Sequence, residues 1–137
     1  MAGELLLDTG ALVSLLDSGQ RLHRQCTELF ERWRAPVVST EAILTEATHL
    51  LGRVHGGRQA CLDFFLRGGA ALVPTTLTAL RRCRELVAKY DDLPMDYADA
   101  TLVVLAEELG ANTILTTDRD FSVYRYGRDR SFKVLPG

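Results

Sequence analysis

Short apolar runs alternate along the chain with longer stretches of helical period. Leu5-Leu6-Leu7 is too short for a helix and stops at Asp8-Thr9-Gly10, which predicts a buried strand and a turn. A short helix is expected from Ala11 to Leu16. Leu22, Cys26, Leu29, Phe30 and Trp33 then recur at helical spacing with charges on the other face, and Pro36 ends that helix. Val37-Val38 is a second strand candidate. Ser39 or Thr40 is a suitable N-cap for a helix running to Leu51. Gly52 and Gly56-Gly57 interrupt it, and Arg58 to Leu66 forms the next helix, closed by Gly68-Gly69. Ala71 to Val73 predicts a third strand. Thr75 or Thr76 caps a helix reaching Tyr90, with Leu77, Leu80, Cys83 or Arg84, and Val87 along one stripe. Asp96 to Leu109 reads as the clearest amphipathic helix and closes at Gly110. Thr113 to Leu115 and Phe132 to Leu135 supply the fourth and fifth strands.

Short strands alternating with helices argue for an α/β fold with a largely parallel sheet. The strands show little polar alternation, as expected where both sheet faces are covered. No internal repeat, linker or composition shift divides residues 1–137, so one domain is expected. At 137 residues the chain buries about two thirds of its extended surface on folding, enough for a core without staples. Cys26, Cys61 and Cys83 are too few and too scattered for a disulfide scaffold or a cysteine-rich zinc site. A reducing compartment fits them. No signal peptide is visible, and no stretch approaches the roughly 20 apolar residues of a membrane span. A soluble, cytoplasmic protein is the expectation.

Charge changes the picture by its placement. Ten Asp and eight Glu oppose fourteen Arg and two Lys, and the net charge of −2 does not advertise a nucleic-acid binder. Ligands of parallel α/β sheets bind outside the carboxyl ends of the strands, and two acids fall there: Asp8 after the first strand and Asp118 after the fourth. Asp96 and Asp99 share one face at a helix start. Glu46 adjoins the apolar stripe of Ile43, Ala47 and Leu50. Each has a purely structural alternative. Asp96 and Asp99 make a capping box, Asp118 an Asx-turn, Asp8 a turn residue, and Glu46 a partner for His49 or an arginine. Together, carboxylates converging at one sheet edge repel each other and lose solvation. A divalent cation resolves that conflict, and an all-oxygen set suits Mg²⁺ or Mn²⁺. The three histidines, His23, His49 and His55, show no ligand-like grouping. Arg81, Arg82 and Arg84 read as a solvated helix face. Arg119, Arg125, Arg128 and Arg130 interleave with Tyr124 and Tyr126, a composition suited to holding a single-stranded RNA backbone and stacking a base. A surface loop is the alternative.

These blocks together resemble the PilT N-terminus (PIN) domain, and within it the VapC-type toxin ribonucleases of type II toxin–antitoxin operons. Leu5 to Leu12 (LLLDTGAL) resembles the family's first strand and first metal-binding aspartate, Asp8. Thr40 to Leu51 (TEAILTEATHLL) resembles the helix that carries the family glutamate, which falls on Glu46. In Met95 to Gly110 (MDYADATLVVLAEELG) the match is Asp99, and in Leu115 to Phe121 (LTTDRDF) it is Asp118. The resemblance implies a three-layer α/β/α sandwich with a mostly parallel, about five-stranded sheet. It implies a Mg²⁺- or Mn²⁺-dependent endoribonuclease, a homodimer, and a small cognate antitoxin whose tail occupies the active-site groove. Asp8, Glu46, Asp99 and Asp118 are then catalytic and metal-side groups. Asp96 is an extra acid that binds metal, orients a water or caps its helix. Thr9 and Thr117 are candidates to hydrogen-bond ligand waters or carboxylates, and Arg119 and Arg125 to hold substrate. Two other functions share the fold: a non-catalytic RNA- or protein-binding scaffold, and an RNA-processing nuclease outside toxin–antitoxin biology.

Overall fold

The computed structural model describes residues 3–137. The chain opens with β1 (Leu5–Leu7), α1 (Thr9–Leu16), α2 (His23–Arg32), β2 (Val37–Thr40) and α3 (Glu41–Leu50). A 3-10 turn over Leu51–Arg53 leads to α4 (Gly57–Leu66), β3 (Ala71–Val73), α5 (Leu77–Lys89), α6 (Tyr97–Leu109) and β4 (Thr113–Leu115). A second 3-10 turn, Arg119–Ser122, precedes β5 (Arg125–Tyr126), β6 (Arg130–Ser131) and β7 (Lys133–Leu135).

The main sheet has five strands in the order β3-β2-β1-β4-β7, and every pairing in it is parallel. Flanking helices cover it, giving the α/β fold that the alternation of elements predicts and the sandwich that the family resemblance implies. β1 is the central strand. Leu5, Leu6 and Leu7 have no exposed surface, and each contributes about 2 kcal/mol of apolar burial. The order places a topological switch between β1 and β4. From β1 the chain steps outward through β2 and β3, then returns to add β4 on the other side. Strand connections diverge at such a point and leave a crevice above the carboxyl ends.

Threonines settle the helix starts left open between neighbours. Thr40 Oγ1 accepts from the Ile43 amide and Thr76 Oγ1 from the Ala79 amide, so these residues, not Ser39 or Thr75, cap α3 and α5. Ser39 instead donates to the Leu7 carbonyl at 2.8 Å, joining β2 to β1. Gly110 ends α6 with φ of 66°, a left-handed conformation that costs glycine little.

Three details differ from the pattern-based reading. α6 is not one-sided: Ala100 to Ala106 are all buried, because α5 packs on one side, α3 and β2 on others, and β5 closes over it. α5 turns the other way from the expected stripe. Ala79, Cys83 and Leu86 face the core, while Leu77, Leu80 and Val87 are exposed. The arginine- and tyrosine-rich segment after Asp118 is no loose base-stacking loop. It folds into the β5–β6 hairpin with Tyr124 and Tyr126 buried, and the rings of Phe121, Tyr124, Tyr126 and Phe132 meet edge-on or tilted, 5.0–5.7 Å apart. All three cysteines are free and buried.

Candidate metal centre

β1 ends at Leu7, and the next residue turns into α1 with Asp8 as its N-cap. The parallel register pairs Leu7 with Leu115, which brings Asp8 alongside Thr116 at the end of β4. Thr116 Oγ1 donates to Asp8 Oδ2 at 2.6 Å. The same oxygen accepts the Asp118 amide at 2.9 Å, so one hydroxyl ties the loop after β4 to the acid after β1. Asp118 then accepts from the Asp120 amide through Oδ1, the Asx-turn foreseen as its structural role.

Asp99 arrives from α6. Asp96 Oδ1 accepts the Asp99 amide at 2.9 Å, and Asp99 Oδ2 reaches the Asp96 amide at 3.4 Å, completing a capping box. That box fixes the first turn of α6, and with it the direction of Asp99. The Tyr124 hydroxyl donates to Asp99 Oδ2 at 3.4 Å. The structural readings of Asp96, Asp99 and Asp118 are therefore realised.

One carboxylate oxygen from each of Asp8, Asp99 and Asp118 lies within 4.8 Å of the other two. Asp8 is buried, and Asp99 and Asp118 are half-buried. Burial pushes the Asp8 carboxyl up to about 6 against the pull of the Thr116 hydroxyl and Thr9 amide, and the charges of Asp118 and Glu46 push the same way. Burial, followed by repulsion from Asp8, Asp96 and Asp118, drives Asp99 up to about 8. Such a cluster is costly as three free anions and well matched to a divalent cation. Its donors are all hard oxygens, with no nitrogen or sulfur among them.

Of the other residues named from sequence, Glu46 is half-buried on α3, close enough to raise Asp8 but outside the three-acid group. Asp96 also lies outside it, exposed and committed to its cap. Thr9 has a buried hydroxyl without a hydrogen-bond partner among the described residues. Thr117 is exposed, and its hydroxyl packs against Gly10 so closely that a Cβ there would collide with it. Arg119 is exposed beside Asp118. Arg125 Nη1 donates to the carbonyls of Ser122, Val123 and Tyr124 and so holds its own turn together. Thr116 and Tyr124 are the residues that sequence reasoning missed in this role. The pairing of Leu7 with Leu115 is the signal that finds Thr116, and it requires knowing which strands are neighbours.

A fully parallel sheet with carboxylates gathered at its switch point is the architecture of a PIN domain. The PIN domain family model matches residues 5–126, and the chain belongs to that family. Within it, the chain is a member of the VapC-type toxin–antitoxin group. It is 30% identical over 135 residues to Ribonuclease VapC26 of Mycobacterium tuberculosis, covering 96% of this chain and 100% of that one. The crystal structure of M. tuberculosis VapC20, a Sarcin-Ricin loop cleaving toxin, superposes with a TM-score of 0.83 at 21% identity, over 92% of this chain and 98% of that one. VapBC2 from Rickettsia felis, bound to a DNA fragment from its promoter, gives a TM-score of 0.67 at 15% identity, over 96% and 98% of the two chains.

Proposed function

We propose that this protein is a Mg²⁺- or Mn²⁺-dependent endoribonuclease that hydrolyses RNA phosphodiester bonds, and that it is the toxin of a toxin–antitoxin pair. The observation that carries this reading is the approach of Asp8, Asp99 and Asp118 to within 4.8 Å at the sheet's switch point. Membership of a family that includes Ribonuclease VapC26 supports the substrate class.

In this reading Asp8, Asp99 and Asp118 would hold the cation, with Glu46 and Asp96 adding negative charge beside them. A bound divalent ion stabilises charge on the phosphate oxygens and lowers the pKa of an attacking water. Thr116 keeps Asp8 and Asp118 in register, and the Asp96 cap keeps Asp99 aimed at them. Asp99 or Asp118 accepts the proton of the water as its oxygen attacks phosphorus. The bond from phosphorus to the ribose oxygen then breaks, and that oxygen takes a proton from solvent and leaves as a hydroxyl, so one phosphodiester and one water give a phosphomonoester and a free ribose hydroxyl. Thr9, Thr117 and Arg119 are assigned to the substrate side, and Arg125 joins them through the guanidinium nitrogens other than Nη1, which its own turn occupies.

A small cognate antitoxin is the proposed inhibitor, a homodimer the proposed assembly and the cytoplasm the proposed location, with residues 1–137 acting as one nuclease domain. Among the described residues no helix is long and apolar enough to cross a membrane. The decisive test is Asp8→Asn and Asp99→Asn assayed on total RNA with Mn²⁺. Each is expected to lower cleavage at least a hundredfold with an unchanged circular-dichroism spectrum. Full metal-dependent cleavage by both variants overturns the assignment of these acids to the cation, and absence of metal-dependent cleavage by the wild type overturns the ribonuclease reading and favours a scaffold role.

A further inference from the structure

Beside the metal centre lies a cleft of about 310 Å³, at the small end of the range of about 300–1,000 Å³ that ligand sites occupy. It opens between the start of α2, the loop after β4 and the chain's C-terminal segment. Arg21, Gln25, Thr117 and Arg119 give it polar groups, while Leu22 and Pro136 give it apolar surface. Asp118 lines the same cleft and belongs to the three-acid cluster. Whatever fills the cleft therefore abuts the metal centre.

The polar groups here are uncommitted. Among the described residues, Arg21, Gln25 and Arg119 make no side-chain hydrogen bond and no ion pair, whereas Arg82 and Arg125 are tied into the fold. Two free guanidiniums beside an acidic cluster would draw carboxylates towards them, yet neither has taken one. A guanidinium fork suits phosphate oxygens. An amide that both donates and accepts, as Gln25 has, suits a base edge, and an apolar wall suits the face of a base.

We propose that this cleft is a nucleotide subsite. It takes one unpaired RNA nucleotide next to the scissile phosphate, with Arg21 and Arg119 on its phosphate and Gln25 on its base. The proposal rests on the ribonuclease reading and adds the residues that seat the substrate. The cleft's size selects a single nucleotide, so the substrate strand must be unpaired at this position. Gln25 is the residue that sets base preference there.

The test separates binding from cleavage. Wild type, Arg21→Ala/Arg119→Ala and Gln25→Ala are titrated with labelled single-stranded RNA ten-mers by fluorescence anisotropy without divalent metal. Mn²⁺ affinity of each is measured by calorimetry. The double variant is expected to bind RNA at least tenfold more weakly, with a salt dependence shallower by about two ions and Mn²⁺ affinity unchanged. Gln25→Ala is expected to alter the ranking of ten-mers that differ at one base. Arg67→Ala, which removes an exposed guanidinium just after α4, is expected to bind as wild type does. RNA affinity of the double variant within twofold of wild type overturns the subsite. So does loss of binding to a carboxylate-rich peptide with RNA binding intact, which would assign the cleft to a protein partner. Failure of the ribonuclease reading shows separately, as absence of metal-dependent cleavage by the wild type.

Discussion

Asp8 carries a charge that its surroundings do not favour. It is buried, Thr116 is its one side-chain hydrogen-bond donor among the described residues, and two further carboxylates stand within 4.8 Å. With the folded pKa values of Asp8 and Asp99 raised to about 6 and about 8, the metal-free native state binds more protons than the unfolded chain from about pH 4 to about pH 8. Their contribution to stability is therefore greatest at low pH and falls as pH rises through that window. Metal-free protein is expected to melt several degrees lower at pH 8.5 than at pH 5.5, and added Mn²⁺ to raise the melting temperature more at the higher pH. Thermal scans with and without Mn²⁺ check this, and a Mn²⁺ effect equal at both pH values contradicts it. Thr116 offers a second test at the same scale. Thr116→Val removes both the donor to Asp8 and the acceptor for the Asp118 amide. Groups that orient metal ligands are worth about 10–100-fold in affinity, so calorimetry is expected to show Mn²⁺ binding weakened by that order, with Thr116→Ser close to wild type.

Among the elements, α5, α6 and the β5–β6 turn meet at one side chain. Glu107 accepts from Arg82 Nε at 3.0 Å and Nη2 at 2.9 Å, and from the Gly127 amide at 2.7 Å. Arg82, one of three arginines read as a solvated face, thus has a structural task. Glu107→Ala leaves both partners without their acceptor and is expected to cost about 1–2 kcal/mol, read as a lower urea midpoint with the slope unchanged. The elements most legible from sequence were those with undivided local signals: the leucine run of β1, the threonine caps and the glycine stop of α6. α5 was misread because exposed Leu77, Leu80 and Val87 follow a helical stripe as well as buried Ala79, Cys83 and Leu86 do. The β5–β6 hairpin escaped because its strands are two residues long, and its tyrosines sit among arginines that suggest solvent. The acids were legible from their places at strand and helix ends. Their convergence depends on strand order, which no local pattern encodes.

For the whole molecule, the misread face of α5 has a further meaning. Leu80, Val87 and Tyr97 together leave an apolar patch in water, with Arg81 and Arg84 beside it. Patches of this kind often mark protein interfaces, and a proposed homodimer would use it as its shared face. Light scattering is expected to give twice the chain mass of 15.2 kDa for wild type and a single chain for Leu80→Glu. A monomeric wild type at micromolar concentration removes this assignment.

The hydrogen bond from Thr116 to Asp8 spans 108 positions of sequence, and that separation bears on synthesis. β1 leaves the ribosome well before its neighbour β4 and the acid that follows it. A polypeptide stopped before Thr113 has the first carboxylate without the strand that seats it and without Asp118. Nascent and truncated products of that kind therefore cannot assemble the three-acid cluster, and any cutting activity that depends on it begins only once β4 and Asp118 have folded against β1.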